Sequence, residues 1–187
     1  EYLHHFAVVF SDFYLFESLL GMESPETDAL ASRYLDRLHL SHKVRVEGGT
    51  LSTTALSQGQ RKRLALLTAY LEDRSIYLFD EWAADQDPHF KNVFYHELLP
   101  ALRARGKTVF AISHDDRFYG VADRLIKLDY GQVVLDTKMD AVLAGSANVP
   151  ADFSPAVRQA LREPFAVIVD ETALKPLGVK VGDEATL

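Results

Sequence analysis

Three short apolar runs alternate along this chain with longer segments of helical period. The runs cover residues 6–10, 76–79 and 108–112. Apolar runs of this length that lack polar alternation are typical of strands buried on both faces. Because segments long enough to form helices separate them, the pattern predicts an α/β domain with a parallel central sheet.

Three helices are predicted between and after these strands. The first begins at Ser24-Pro25, a cap residue followed by proline in the first turn. The second runs from Ser57 to about Asp73, and the third from Asp87 to about Gly106. Pro100 lies inside the third helix and should kink it, because proline lacks a backbone donor. Residues 124–128 and 133–135 are expected to form a closing hairpin.

Composition narrows the class of protein. The chain has 187 residues, which suits one domain or one domain with an appendage. It has no cysteine, which excludes disulfides, thiolate metal sites and cysteine nucleophiles. The formal net charge is -7 and the one basic run is short, so no nucleic-acid partner is expected. No apolar stretch approaches the roughly 18 residues of a membrane span.

Acidic residues and a histidine, which can take part in catalysis, follow two of the predicted strands. Asp80 and Glu81 come directly after residues 76–79, and His114 follows the next strand. The carboxyl ends of parallel strands form one ligand-binding edge, where Asp80 could hold Mg²⁺ and Glu81 could polarise a water for attack on a phosphoryl group. His114 could hydrogen-bond a terminal phosphate there. The alternatives are acids at a solvated turn and a histidine that merely ends a strand.

Further acids follow on the loop before the third helix. Asp87 precedes a proline and is a good N-cap, so a structural role is as well supported as a functional one. Together with Asp80, Glu81 and Asp85 it could also belong to a two-metal hydrolase site. Trp82, the single tryptophan, is expected to pack beside the site. Three further expectations are structural: helix caps at Asp115 and Asp116, and a surface or strand-edge position for His4-His5 in preference to a metal site.

The basic run at residues 61–63 stands at the start of the second helix. Cations at the positive end of a helix dipole are unfavourable by roughly 0.3–1 kcal/mol each. A helix N-terminus with a serine cap and a nearby glycine, here Ser57 and Gly59, is also a ready anion site. The run at residues 61–63 therefore makes sense if some of its charge serves an external phosphate. The alternative is that these long side chains spread into solvent.

Taken together, these segments resemble the nucleotide-binding domain of ATP-binding cassette (ABC) proteins. Residues 56–60 resemble the signature motif, and residues 76–81 resemble the Walker B strand with its catalytic glutamate. Residues 85–87 lie at the D-loop position, and His114 lies at the position of the switch histidine. With residues 6–16 and the strands to about residue 135, the resemblance covers most of the chain.

In detail, the amino-acid sequence is similar to that of bacterial cyclic-peptide and siderophore-peptide exporters. Residues 9–16, 58–67 and 79–88 carry this similarity. The resemblance implies ATP-driven export of a cyclic peptide or siderophore peptide, with the ATPase at the cytoplasmic face of the bacterial inner membrane. The implied partners are a second ABC ATPase domain in a dimer and a membrane-spanning domain fused ahead of the ATPase.

The resemblance also implies roles for individual residues, with ATP and Mg²⁺ as cofactors. Asp80 would bind Mg²⁺, Glu81 would align or deprotonate the attacking water, and His114 would contact the γ-phosphate. The signature residues Ser57, Gly59 and Gln60 would contact the nucleotide of the partner domain across the dimer. Asp87 is also implied to contact nucleotide.

Two departures from the family pattern stand out. Ser11 occupies the position of the Q-loop glutamine, and no Gly-x-x-x-x-Gly-Lys-Ser/Thr motif occurs in the 187 residues. The expected fold is therefore an incomplete P-loop NTPase-like ABC ATPase fold, without the N-terminal strands and the P-loop. It would occupy residues 1–138, with a helical signature subdomain at about residues 13–60. Residues 139–187, including an apolar strand at 165–169, form an extension of unknown role.

Two other functional classes remain open on the sequence. A chain without a P-loop could be a regulatory or interaction module that docks on an intact ABC partner. A soluble, non-transport ABC ATPase of the DNA-repair or chromosome type is the other alternative, although the acidic balance argues against it. For either the exporter or the module, the 187 residues alone are expected to have negligible ATPase activity.

Overall fold

The computed structural model describes residues 2–19, 21–138 and 165–169. The strands within these ranges are, along the chain, β1 (Phe6–Val9), β2 (Val46–Glu47), β3 (Thr50–Leu51), β4 (Ile76–Asp80), β5 (Thr108–Ile112), β6 (Arg124–Asp129), β7 (Gln132–Lys138) and β8 (Phe165–Val169). The helices are α1 (Pro25–Arg37), α2 (Gln58–Glu72), α3 (Pro88–Val93) and α4 (Leu99–Ala104).

The main sheet has six strands in the order β1-β4-β5-β8-β6-β7. All neighbours pair in parallel except β6 and β7, which form an antiparallel hairpin. This confirms the predicted α/β class, the parallel sheet and the closing hairpin. Strand β8 comes from the predicted extension, and it lies inside the main sheet between β5 and β6. Residues 139–164 and 170–187 of that extension lie outside the described part of the chain.

The helix α2 begins and ends where its sequence indicates. Ser57 is the N-cap, with φ -62° and ψ 159°, and Asp73 ends the helix in the left-handed region at φ 48°. Ser57 and Gln60 form a capping box, in which each side chain accepts a hydrogen bond from the other residue's backbone N–H. Two of the orphan donors of the first turn are thereby satisfied within the chain.

The predicted third helix is interrupted by one widened turn. A π-helical segment, Phe94–Leu98, separates α3 from α4. The N–H of Leu99 reaches back to the carbonyl of Phe94, five residues earlier. Pro100 follows directly, and it has no N–H with which to continue the α-helical ladder. The disturbance predicted at Pro100 therefore takes the form of a π turn on its N-terminal side.

A small hairpin of β2 and β3 lies beside α1 in the predicted helical subdomain. Its turn consists of Gly48 and Gly49, both with positive φ (57° and 71°). The carboxylate of Asp28 on α1 accepts hydrogen bonds from both glycine N–H groups, at 2.6 and 2.9 Å. A Cβ atom on Gly49 would approach Glu23 Cγ to 2.6 Å, so a side chain at position 49 would require Glu23 to shift.

The hydrophobic core lies between one face of the sheet and the helices. One cluster of buried side chains joins β4 and β5 to α2, α3 and α4, with Tyr77, Phe79, Trp82, Phe90 and Phe94 among its large members. On the opposite face Ile76 is buried with Phe6 and Phe110 against it. The core thus holds β4 and β5 rigidly and leaves their carboxyl ends at the surface.

Candidate functional site

The carboxyl ends of β4 and β5 lie side by side and carry the acids and the histidine. Asp80 pairs in register with Ile112, and the N–H of Glu81 donates to the Ile112 carbonyl at 3.1 Å. The ladder thus continues one residue past β4. His114 follows two residues after Ile112, which places it at the same edge. The sequence-predicted grouping of Asp80, Glu81 and His114 is therefore present in the fold.

Glu81 and His114 are in direct contact. Glu81 Oε1 lies 2.7 Å from His114 Nε2, and both side chains are slightly under half exposed. Glu81 has φ 46°, in the left-handed region that residues with a Cβ rarely adopt. Such strain is typical of functional sites and persists only where surrounding structure enforces it. Here the buried residues on either side of Glu81, Phe79 and Trp82, hold the turn.

Asp80 faces a hydroxyl from the neighbouring strand. Ser11 Oγ donates to Asp80 Oδ2 at 3.3 Å, across 69 residues of sequence. This is possible because β1 pairs in parallel with β4, so the segment after β1 reaches the same edge. The two side chains offer oxygen atoms only, which are the ligands that Mg²⁺ prefers.

Asp80 and Ser11 fit a weakly held Mg²⁺ better than a protein-caged metal. Within residues 2–19, 21–138 and 165–169, no group of three or more His, Asp or Glu side chains could hold a metal ion. Mg²⁺ commonly takes only one or two protein ligands and completes its shell with water and substrate phosphates. The two-metal alternative built on Asp80, Glu81, Asp85 and Asp87 is wrong, because Asp85 and Asp87 are engaged by cations of α2 instead.

The signature residues lie at the start of α2 and contact the loop after Glu81. Gln86 Nε2 donates to the carbonyl of Gly59 at 3.1 Å. A Cβ atom on Gly59 would lie 3.1 Å from the carbonyl oxygen of Asp85, which explains why glycine stands there. Gln60 Oε1 accepts from Ser57 N–H at 3.3 Å and from Lys43 Nζ at 3.3 Å. The N–H groups of Ser57 and Gln60 thus both donate within the capping box.

Two of the three cations at residues 61–63 are paired inside the chain. Lys62 is 2% exposed and its Nζ lies 2.7 Å from Asp85 Oδ2. Arg63 binds Asp87 Oδ2 at 2.6 Å, and its guanidinium lies 3.7 Å from the centre of the Phe90 ring. Lys62 and Arg63 are therefore neutralised within the chain, and the charge expected to serve an external phosphate is left to Arg61. Arg61 alone is exposed, and within the described residues it has no ion pair.

Asp87 has the structural role that its position before Pro88 predicts. Its carboxylate accepts from the N–H of Phe90 at 2.9 Å, as an N-cap of α3. That hydrogen bond, followed by the charge of Arg63, lowers the pKa of Asp87 below its ordinary value. Burial lowers the pKa of Arg63, but the guanidinium remains the cationic partner of the pair.

A cavity of about 330 Å³ opens beside Glu81 and His114. Its wall includes an ion-pair network that the sequence did not indicate: Asp115 binds Lys91 at 3.2 Å and Arg117 at 2.6 Å. The hydrogen bonds from Arg117 are the main reason that the pKa of Asp115 lies below its ordinary value. Asp115 occupies the predicted N-cap position of the following helical turn, but its side chain makes no capping hydrogen bond.

Comparison with known proteins finds one family model that matches the first part of this sequence. The family model described as "ABC transporter" matches residues 1–84. That segment contains the Asp80-Glu81 pair and the whole start of α2. Residues 1–84 therefore belong to the ABC transporter family.

Three relatives illustrate the range of ABC proteins that the chain resembles. The ATP-binding protein SyrD of Pseudomonas syringae pv. syringae is 58% identical over 142 residues, which are 74% of this chain and 25% of SyrD. The Nod factor export ATP-binding protein I of Bradyrhizobium diazoefficiens is 30% identical over 130 residues, covering 69% and 40% of the two chains. The macrolide export ATP-binding/permease protein MacB of the same organism is 29% identical over 161 residues, covering 79% and 24%.

The chain spans only about a quarter of the length of SyrD. The matches identify an ATP-binding domain that is homologous to exporter ATPases. None of the helices in the described ranges is long and apolar enough to cross a bilayer.

Proposed function

We propose that the chain is part of the ATPase domain of an ABC exporter, and that the exporter carries a cyclic peptide or siderophore peptide. The observation that carries the proposal is the contact between Glu81 and His114 at the ends of neighbouring parallel strands. A carboxylate carried on a strained backbone and placed beside a histidine, at a ligand-binding sheet edge, suits water activation for phosphoryl transfer.

The residues at this edge have separable roles in the proposal. Glu81 orients the attacking water and accepts its proton, and His114 fixes the Glu81 carboxylate and hydrogen-bonds the terminal phosphate. Asp80 and Ser11 hold Mg²⁺, Asp80 as the charged ligand and Ser11 as a neutral hydroxyl. When bound, ATP supplies the phosphoryl group, and Mg²⁺ neutralises part of the phosphate charge. The chain's own contribution is position and polarity.

The start of α2 would face a nucleotide held by a second ATPase domain. Ser57, Gly59 and Gln60 would contact that nucleotide, and the exposed Arg61 would supply the remaining positive charge. Asp87 would act mainly by capping α3 and by holding Arg63 close to this surface. In this proposal residues 1–138 form the ATPase portion, and β8 ties the extension to the same sheet.

A complete ATPase also needs a phosphate-cradling loop. The P-loop motif does not occur in the 187 residues. We propose that the longer polypeptide contributes it, which agrees with the much greater length of relatives such as SyrD.

An exposed apolar groove offers a surface for the proposed membrane-spanning partner. It lies between β1, the segment that follows β1 and the helix α2. Phe10, Tyr14 and Phe16 are 54%, 78% and 55% exposed there, which is unusual for large aromatic side chains. Docking of this groove on a membrane domain would place the ATPase at the cytoplasmic face of the bacterial inner membrane.

The decisive experiment measures ATP hydrolysis by the full-length protein with and without the Glu81→Gln substitution. We expect Glu81→Gln to bind ATP and retain it without turnover, because the amide cannot accept the proton of water. Hydrolysis by this variant at the normal rate would remove Glu81 from the mechanism.

Mass spectrometry of source-cell membranes should also find peptides that are continuous with residue 1 and carry a P-loop. A soluble native chain without a P-loop would instead favour the interaction-module hypothesis.

A further inference from the structure

The start of α2 and the turn after Glu81 are joined by an unusually dense set of polar contacts. Trp82 Nε1 donates to the carbonyl of Lys62 at 3.0 Å, and Lys62 Nζ reaches Asp85 at 2.7 Å. Gln58 Nε2 donates to the same Asp85 oxygen at 3.3 Å. The contacts of Arg63 with Gln86 and Asp87, and of Gln86 with Gly59, complete the set. We call residues 82–87 the post-catalytic turn.

Lys62 is the most unusual member of this set. Its side chain is 2% exposed, whereas lysine is almost never fully buried unless it is paired. Its ammonium lies at 2.7 Å from Asp85, a residue that is itself 43% exposed. The chain therefore places a buried cation against a partner that belongs to the turn and not to the core. Such a pair contributes little net stability but specifies one arrangement of its two elements.

The backbone of the same lysine is held from the other side. Trp82 is buried, and its ring stacks on Phe94 with centroids 4.3 Å apart. Its indole N–H donates to Lys62 O, so the residue that follows Glu81 is fixed both in the core and to α2. Glu81, strained at φ 46°, is thus held at a turn whose position α2 determines.

We propose that Lys62 is a positioning residue that locks the post-catalytic turn to the start of α2. Through this lock the water-activating Glu81 and the anion-facing residues 57–60 move as one unit. The inference rests on the proposed function, in which these two groups serve different nucleotides of a dimer. Lys62 would then couple the state of one nucleotide site to the geometry of the other.

The test compares Lys62→Met, Asp85→Asn and the double variant in the full-length protein. Methionine keeps most of the apolar stem of lysine without its charge. We expect all three variants to lower kcat for ATP roughly 10- to 100-fold, because a misplaced catalytic group costs this much, with KM changed less than about twofold. Hydrogen exchange of the backbone amides in residues 82–87 should rise in all three.

Stability should follow a different order from kcat. Asp85→Asn leaves a buried ammonium without a carboxylate, so it should lower Tm the most. Lys62→Met leaves a half-exposed carboxylate that water can solvate, and the double variant should return to about the Tm of Lys62→Met. A purely structural role predicts that kcat recovers together with Tm in the double variant, and that result would overturn the proposal. Additive losses of kcat would also overturn it, because a lock acts as one unit.

Two further variants keep the test decisive. Arg33→Met removes an exposed cation from α1 and should leave kcat, Tm and exchange unchanged. If Lys62→Met does not fold, Trp82→Phe removes the hydrogen bond to Lys62 O together with part of the buried ring, and it should raise exchange in residues 82–87. Absence of ATP hydrolysis by the unmutated protein would reject the proposed function, while exchange and Tm would still decide whether the lock exists.

Discussion

At the scale of single residues, the site depends on one strained glutamate and its neighbours. The left-handed backbone of Glu81 turns its carboxylate toward His114, and a hydrogen bond to the Ile112 carbonyl holds the peptide in place. The strain is affordable because the flanking side chains Phe79 and Trp82 are buried in the core. A catalytic role for Glu81 thus has a structural basis beyond its position in a motif.

Ser11 provides a prediction at this scale. We expect Ser11→Ala in the full-length protein to raise the Mg²⁺ concentration for half-maximal ATPase activity roughly tenfold, because the hydroxyl at 3.3 Å from Asp80 is lost. Ser11→Gln, which restores an oxygen ligand, should recover much of this affinity.

The matched control for Ser11 is Ser32→Ala, another exposed serine, which lies on α1. It should change neither the Mg²⁺ requirement nor Tm. An unchanged Mg²⁺ requirement in Ser11→Ala would exclude Ser11 from the metal site and leave Asp80 as the sole ligand from this edge.

At the scale of elements, caps decide where the functional segments begin. Ser57 starts α2 through a capping box, and Asp87 starts α3 through its hydrogen bond to Phe90 N–H. Both caps also lie at the proposed nucleotide-facing surface. The same side chains therefore keep the first turns of α2 and α3 from fraying and orient the polar groups at these helix ends.

Asp87 gives a prediction about stability and pH. Asp87→Ala should destabilise the fold by about 0.5–2 kcal/mol through loss of the cap. The pKa of Asp87 is lowered in the folded state, chiefly by the Phe90 hydrogen bond. Its charge therefore stabilises the fold above the ordinary Asp pKa of about 3.9, and this contribution disappears as pH falls below that value.

Thermal unfolding of Asp87→Asn isolates the charge from the cap. Asparagine caps helices about as well as aspartate but does not ionise. The Tm difference between the unmutated protein and Asp87→Asn should be constant from neutral pH to about pH 4 and should narrow below it. A difference that instead grows with acidity would contradict the assigned direction of the pKa shift.

The element scale also indicates how far local sequence patterns reach. The helix caps at Ser24, Ser57 and Asp87 and the strand predicted at residues 76–79 follow from local rules, and all are confirmed, the strand running one residue further to Asp80. The pairing of Lys62 with Asp85 could not be read from the sequence. It depends on how α2 crosses the end of β4, which is a property of tertiary packing and not of residue spacing.

At the scale of the whole molecule, the exposed aromatic groove is the feature that a solitary domain would not need. In the proposed exporter, Phe16→Asp should uncouple ATP hydrolysis from transport, because a charge opposes burial against an apolar partner. The expected result is a several-fold loss of transport per ATP with Tm changed by less than about 2 °C.

Tyr130→Asp is the control for the groove. Tyr130 is 100% exposed in the turn between β6 and β7, far from the groove in the order of the sheet, and aspartate tolerates its positive φ of 44°. This variant should transport normally. Equal losses in both variants would indicate a general surface effect and would argue against docking at the groove.

The sequence by itself determined the class of fold, the strand ends that carry Asp80, Glu81 and His114, and the caps of the helices, because these follow from local periodicity and backbone chemistry. The tertiary structure alone decided three other points. Strand β8 enters the main sheet, Ser11 faces Asp80, and two of the three cations at residues 61–63 are neutralised within the chain. Each of these three features joins segments more than 20 residues apart in sequence. Contacts at that separation depend on how the elements pack, which no local sequence pattern encodes.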